Sequence, residues 1–190
     1  MSNAGRFALA TACGLILAAM VHIVAILLMP WLSQQDALAR LRSTATADRA
    51  ELIATPGRST TWLPSPDPAV AIAACAYNLE EGPLRIAART GDLFQSVSFH
   101  TRAGGVFFAV TDKAAIRGAL DLVVMTRGQL DETLALEDDT EPSRDVRIVA
   151  PNREGFVIIR VLAPMPSLRE RAQSVAKSVA CTTEPAPGES

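Results

Sequence analysis

The stretch from Phe7 to Met29, FALATACGLILAAMVHIVAILLM, carries no formal charge. Its roughly 23 residues exceed the about 20 that a helix rising ~1.5 Å per residue needs to cross a hydrocarbon core. The run therefore predicts a transmembrane helix over 7–29, with residues 1–6 as a cytoplasmic stub and the lipid bilayer as the first partner. Three other readings compete with a spanning anchor. A cleaved signal peptide has a shorter apolar region, of about 7–15 residues, before a small-x-small site; Ala37-Leu38-Ala39 would serve as a late one, with cleavage after Ala39. Lipid attachment at Cys13 needs an apolar run before the cysteine, and here the run lies mostly after it. A buried soluble helix of this length is unusual. Pro30-Trp31 mark the exit, Trp being favoured at headgroup level. His22 is the one ionisable side chain in the span; a neutral imidazole facing a partner helix is its commoner role, a proton or metal site the rarer one.

Charge leaves the orientation open. Arg6 and the terminal amine precede the span, while Arg40 and Arg42 follow it, a tally that leans toward a cytoplasmic body. The short amino-terminal stub and the cysteines lean the other way. Cys75 and Cys181 lie outside the span, and two cysteines in one small domain suit an oxidising compartment. A bridge between them would close a loop of about 107 residues, worth at most ~4–5 kcal/mol in the chain-entropy model. Two unrelated buried thiols fit the spacing as well.

Beyond the anchor, Ser33 to Arg49 is polar and Ala-rich and can extend the helix as a stalk. Pro56-Gly57, Pro64, Pro66 and Pro68 forbid a continuing helix, so residues 30–66 read as stalk and Pro-rich linker. The body then covers 67–181, the size of one compact domain, with 182–190 as a disordered Pro/Gly/Glu-rich tail. Within it the apolar period is two. Strands are expected at 70–79, 84–89, 93–99, 106–111, 119–125, 146–150 and 156–163. Glu81-Gly82-Pro83, Gly91-Asp92, Thr101 to Gly105 and Asn152 to Gly155 supply the turns. In the third strand Leu93, Gln95, Val97 and Phe99 share one face, and Phe94, Ser96 and Ser98 the other. Thr126 with Gln129, and Ser167 with Glu170, are capping boxes for two helices. In the second of these helices Leu168, Ala172, Val175, Ala176 and Val179 form a stripe that would dock on the sheet and bring Cys181 back to the body. The fold class is mainly β: an antiparallel β-sandwich-like domain with two short α-helices, preceded by one transmembrane α-helix.

The chemistry is sparse. Net charge is -2, with no basic footprint for nucleic acid. His100 is the one histidine outside the span, so no His/Cys zinc site can be assembled without using both Cys75 and Cys181, and no nucleophile with a positioned base is evident; no cofactor and no catalytic activity are expected. The acidic run 137–141 lacks the alternation and glycine of a calcium loop and reads as a solvated face. His100, Arg102 and Asp112 are candidates to converge near one hairpin as a polar ligand spot.

Several segments together carry a family likeness: the strand ending CAYNLEEGPLRI, then QSVSFHTRAGGVFFAVTDKAA, LDLVVMTRGQL, EGFVIIRVLAP and a late cysteine. The chain resembles the small membrane proteins of the bacterial family called domain of unknown function twelve-fifty-four, over nearly its whole length. The resemblance implies a periplasmic β-sandwich-like domain on an inner-membrane anchor in Gram-negative bacteria. It also implies pairing of Cys75 with Cys181, and a neighbouring-gene envelope protein of family twelve-fourteen as partner. It implies no activity. The leading expectation is thus a structural or interaction module of the cell envelope; a lipid- or glycan-binding protein is the alternative, and an enzyme comes last.

Overall fold

The computed structural model describes residues 2–44, 48–57, 63, 65–136 and 145–185. The chain divides into two compact units, 1–37 and 38–190. One helix, α1, runs Asn3–Thr44, and its segment Asn3–Met29 is long and apolar enough to cross a membrane. Leu15, Leu17, Val21, Leu27 and their neighbours are exposed along that segment, as lipid-facing side chains would be. The helix continues through Pro30, so the expected stalk is helical to Thr44. A proline inside a helix removes one backbone donor and is accommodated by local bending.

Among the described residues the second unit contains ten strands in two five-stranded sheets. Sheet A has the order β1-β10-β4-β7-β8, formed by Asp48–Arg49, Ala180–Thr183, Leu84–Arg89, Ala119–Met125 and Val146–Val149. Sheet B has the order β2-β3-β9-β5-β6, formed by Glu51–Ala54, Val70–Asn78, Glu154–Leu162, Gln95–Thr101 and Val106–Thr111. All pairings are antiparallel except β7 with β8, which run parallel. One apolar core fills the space between the sheets, drawing Val97, Phe99, Val157 and Ile159 from sheet B and Ile86, Leu122 and Val124 from sheet A. The expected sandwich is therefore present.

Strand β3, VAIAACAYN, is buried on both faces. On its inner face Ala71 and Ala73 leave room for helix α3, Arg169–Lys177, whose Ala172 and Ala176 are fully buried. Alanine against alanine lets the helix axis approach the sheet closely. On the outer face Ile72 and Ala74 pack with Ile53, Ile158 and Leu41, the last from the end of α1. The remaining helix, α2, spans Arg127–Leu136 and opens with the expected capping box: Thr126 N–H donates to Gln129 Oε1 (2.8 Å), and Gln129 N–H donates to Thr126 Oγ1 (3.2 Å).

Four expectations are corrected. Residues 48–54, assigned to the end of the stalk and the start of the linker, form β1 and β2 and add an edge strand to each sheet; Leu52-Ile53 are apolar, and the proline cluster begins only at Pro56. The start of the disordered tail is ordered instead: Thr182 and Thr183 continue β10, Glu184 N–H donates to Pro83 O (2.8 Å), and the Glu184 carboxylate pairs with Arg85. Cys181 consequently sits on a strand, not at a helix end. Ser167 with Glu170 makes no capping box: Pro166 starts a 3-10 turn, Pro166–Leu168, that places Ser167 inside the turn, and α3 begins only at Arg169. The acidic run 137–141 lies outside the described residues.

Cys75 of β3 and Cys181 of β10 form a disulfide that joins the two sheets, with Cα atoms 6.5 Å apart and 106 residues between them in sequence. Non-reducing mass spectrometry of the full chain should recover the Cys75–Cys181 peptide pair, and Cys75→Ser/Cys181→Ser should lose about 2–5 kcal/mol of stability in denaturant titration; equal midpoints for the two proteins would contradict this role. Gly155 of β9 lies against the His100 carbonyl and the Tyr77 hydroxyl, where a Cβ would collide with both. Gly155→Ala should therefore cost about 1–3 kcal/mol by the same titration.

Candidate functional site

His100 is buried and engaged by neighbouring protein groups. Its Nδ1 donates to Gly104 O (3.2 Å), which leaves Nε2 as the acceptor for the Ser98 hydroxyl (3.0 Å), and its ring stacks on Phe156 with centroids 4.9 Å apart. Arg160 in turn donates to Ser98 Oγ (3.1 Å). Burial lowers the His100 pKa, so the imidazole is neutral at neutral pH. Serine beside histidine has the composition of a hydrolytic pair. Here both residues are buried, and the hydroxyl already donates to His100 and accepts from Arg160. The arrangement is a closed structural network on the outer face of sheet B.

Arg102, at the tip of the turn between β5 and β6, is exposed and pairs with Glu154 (3.0 Å). Glu154 also holds Arg42 (3.0 Å), and this hydrogen bond is the main reason its carboxyl lies below the usual range. The turn itself is closed by Thr101 N–H to Gly105 O (2.9 Å) and Gly104 N–H to Thr101 O (2.8 Å), with Gly104 at φ 84°.

Asp112 is not part of this group. Thr111 pairs with Ser96, five residues from Thr101, which places Asp112 about 17 Å or more along the strand from the turn at ~3.4 Å per residue. The expected convergence of His100, Arg102 and Asp112 is thus corrected: the length of the hairpin arms carries Asp112 to the other end of the sandwich.

At that end two features stand out. Gln95, 1% exposed, lies on the inner face of β5 in the row of Val97 and Phe99, and neither its Oε1 nor its Nε2 has a hydrogen-bond partner among the described residues. The β5–β6 ladder ends at Ser96 and Thr111, and Asp112 then opens a 3-10 turn; its Oδ1 is likewise buried without a partner among the described residues, while its Oδ2 lies 3.7 Å from Lys113 Nζ. Buried polar atoms are nearly always paired with protein or ordered water. The sequence signal was there: Gln95 is the polar member of an otherwise apolar inner face. The second feature is a cleft of about 380 Å³, walled by Ala114, Ile116, Leu120, Leu122 and Val146, with Arg117 and Asp121 also lining it. Arg117 has φ 53°, a left-handed conformation that costs a non-glycine residue energy and is concentrated at functional sites.

Elsewhere, Arg85 on the outer face of sheet A is bound by Glu184 and Asp121 (2.7 Å) and approaches Asp145 (3.9 Å). Its guanidinium is held further toward the charged form, chiefly by the Glu184 hydrogen bond. These groups satisfy one another. Among the described residues no cluster of three or more His, Cys, Asp or Glu side chains is placed to hold a metal ion.

Lowering the pH tests the His100 network. Because burial depresses the ring's pKa below its ordinary 6.5, the unfolded chain takes up a proton that the folded chain refuses. Stability from this group is complete above about pH 6.5 and declines as the pH falls toward the folded value. Denaturant midpoints between pH 7 and 5 should fall more steeply for the native chain than for His100→Gln, and parallel slopes would contradict the assignment.

No family model matches the chain, and no curated protein matches it. Two solved structures are similar in fold. The VPA0106 protein of Vibrio parahaemolyticus superposes with a TM-score of 0.54 at 9% identity, over 80% of this chain and 35% of that one. An uncharacterised protein of Burkholderia cenocepacia gives 0.50 at 11% identity, over 85% of this chain and 42% of that one. The chain therefore spans well under half the length of either structure, and the likeness is one of fold.

Proposed function

We propose that the chain is a non-catalytic interaction module of the bacterial envelope, anchored in the inner membrane by α1, with its sandwich in the periplasm. The disulfide between the sheets supports an oxidising compartment, and the uncharged stretch 7–29 of α1 supports a single-pass anchor. The observation that carries docking is strand β6. Val106-Phe107-Phe108-Ala109-Val110-Thr111 has no charged side chain, pairs with β5 alone among the described residues, and exposes Val106 and Ala109. Edge strands are normally blunted by lysine, proline or a bulge because their free amides and carbonyls template another strand. A register shift lies between Phe99 and His100, so it disturbs only the Val106 end and leaves Phe108 to Thr111 regular.

The occupant proposed for this edge is an extended segment of a partner polypeptide, added by strand pairing with apolar side chains on both faces. A neighbouring-gene envelope protein of family twelve-fourteen is the candidate implied by the family resemblance.

A photo-crosslinking amino acid at Ala109 should yield a higher-mass adduct in intact cells, and one at exposed Ala87 on the outer face of sheet A should not. Recovery of monomer alone from both positions would exclude docking at β6. Carboxyl-terminal reporter fusions should show activity with a periplasm-active enzyme only; activity of the cytoplasm-active one would exclude the location.

A further inference from the structure

We infer that the cleft at the Arg117 turn binds a single aliphatic chain that ends in a carboxylate. The site is independent of strand docking at β6. Ile116 N–H donates to Ala119 O (2.9 Å) and Ala119 N–H donates to Ile116 O (3.1 Å), so Arg117 and Gly118 are the two central residues of a tight hairpin turn. Both have positive φ, 53° and 77°. That is the φ pattern of a type I′ turn, which favours asparagine, aspartate or glycine at its first central position. An arginine held there gives up turn stability, and such strain is concentrated at functional sites. Arg117 lines the cleft, and none of the ion pairs or side-chain hydrogen bonds among the described residues involves it.

The rest of the lining sets the body of the ligand. The walls Ala114, Ile116, Ala119, Leu120, Leu122 and Val146 carry no polar side-chain atom, and the volume of about 380 Å³ falls in the range of small-ligand sites. Ile116 and Val146 are exposed, so an apolar occupant would remove them from water. Asp121, the other charged lining residue, already accepts a hydrogen bond from Arg85 (2.7 Å). A ligand with polar groups spread along its body finds no partners on these walls; one with a hydrocarbon body and a charge at one end does, at Arg117. That charge is negative, because the planar guanidinium matches a carboxylate or a phosphate. Between the two, a phosphate monoester brings a second negative charge, which the Asp121 carboxylate in the same lining opposes. The single charge of a carboxylate fits better.

Photolabelling tests both halves of the ligand. Full-length protein in nanodiscs is irradiated with three diazirine probes of equal, medium chain length: a fatty acid, its methyl ester and an alkyl phosphate. Labelling of residues 114–122 is read relative to labelling of α1, which reports simple partition into lipid. The fatty acid should exceed the ester and the phosphate by about tenfold, the order expected of one hydrogen-bonded charge pair.

Arg117→Gly should abolish that excess without lowering the thermal midpoint, since glycine adopts positive φ freely. Arg117→Asn, which keeps a residue that such turns favour, should do the same. A purely structural arginine would give the opposite pair of results, a lower midpoint with unchanged labelling. Lys113→Gln, which removes a neighbouring exposed cation outside the lining, should leave the excess intact. Equal labelling by acid and ester, stronger labelling by the phosphate, an undiminished excess in folded Arg117→Gly, or its loss in Lys113→Gln would each overturn the inference.

Discussion

Strand β3 is buried on both faces, and the rest of the sandwich is arranged around that constraint. A strand covered on both sides cannot alternate apolar with polar residues, and one that must admit a helix on its inner face cannot be bulky there. The sequence VAIAACAYN meets both demands. Its inner alanines receive α3, its outer Ile72 and Ala74 receive Leu41 and Ile53, and Cys75 reaches across to β10. The disulfide thus joins a strand enclosed on both faces to a strand that would otherwise be a short terminal segment. Restricting the unfolded chain over so long a loop is where such a bond contributes most in the chain-entropy model.

The two ends of the sandwich treat buried polarity differently. At the turn end His100, Ser98 and Arg160 form a network in which each ring nitrogen has a partner, and Tyr77, whose phenol burial pushes up to about 12, donates to the His100 carbonyl (3.4 Å) beside Gly155. Such a closed network fixes strand register and leaves little for a ligand. At the opposite end Gln95 and Asp112 hold three polar atoms that no described residue answers. Desolvating unpaired groups opposes folding. The residues that a sequence reader finds chemically attractive, a lone histidine and a nearby arginine, are therefore the satisfied ones. The glutamine that attracts no notice is the anomaly.

Much of the architecture was legible because it rests on local periodicity. The apolar run before Pro30, the period-two segments 84–89, 106–111 and 119–125, and the Thr126–Gln129 box each depend on neighbours within a few residues, and each is found where expected. The misses have the opposite character. Glu51–Ala54 looks like linker because only its pairing with Ala73 and Ala74, some twenty residues away, makes it a strand. Thr182 and Thr183 look like tail until Arg85 and Leu84 are brought alongside. Ser167–Glu170 fits a capping pattern, but Pro166 starts a tighter turn. The grouping of His100 with Asp112 ignored how far a hairpin arm extends.

The sequence by itself determined the membrane-length helix, the β class of the body, the parity that turns Gln95 inward, and the absence of a basic footprint, because charge and hydrophobic period are properties of consecutive residues. Only the tertiary structure decided the rest: which strands become edges, that β7 and β8 run parallel, that Cys181 rides on a strand, and that Asp112 lies at the far end of the hairpin from His100 and Arg102. These depend on register between segments far apart in the chain, where a shift of one residue turns every side chain to the other face.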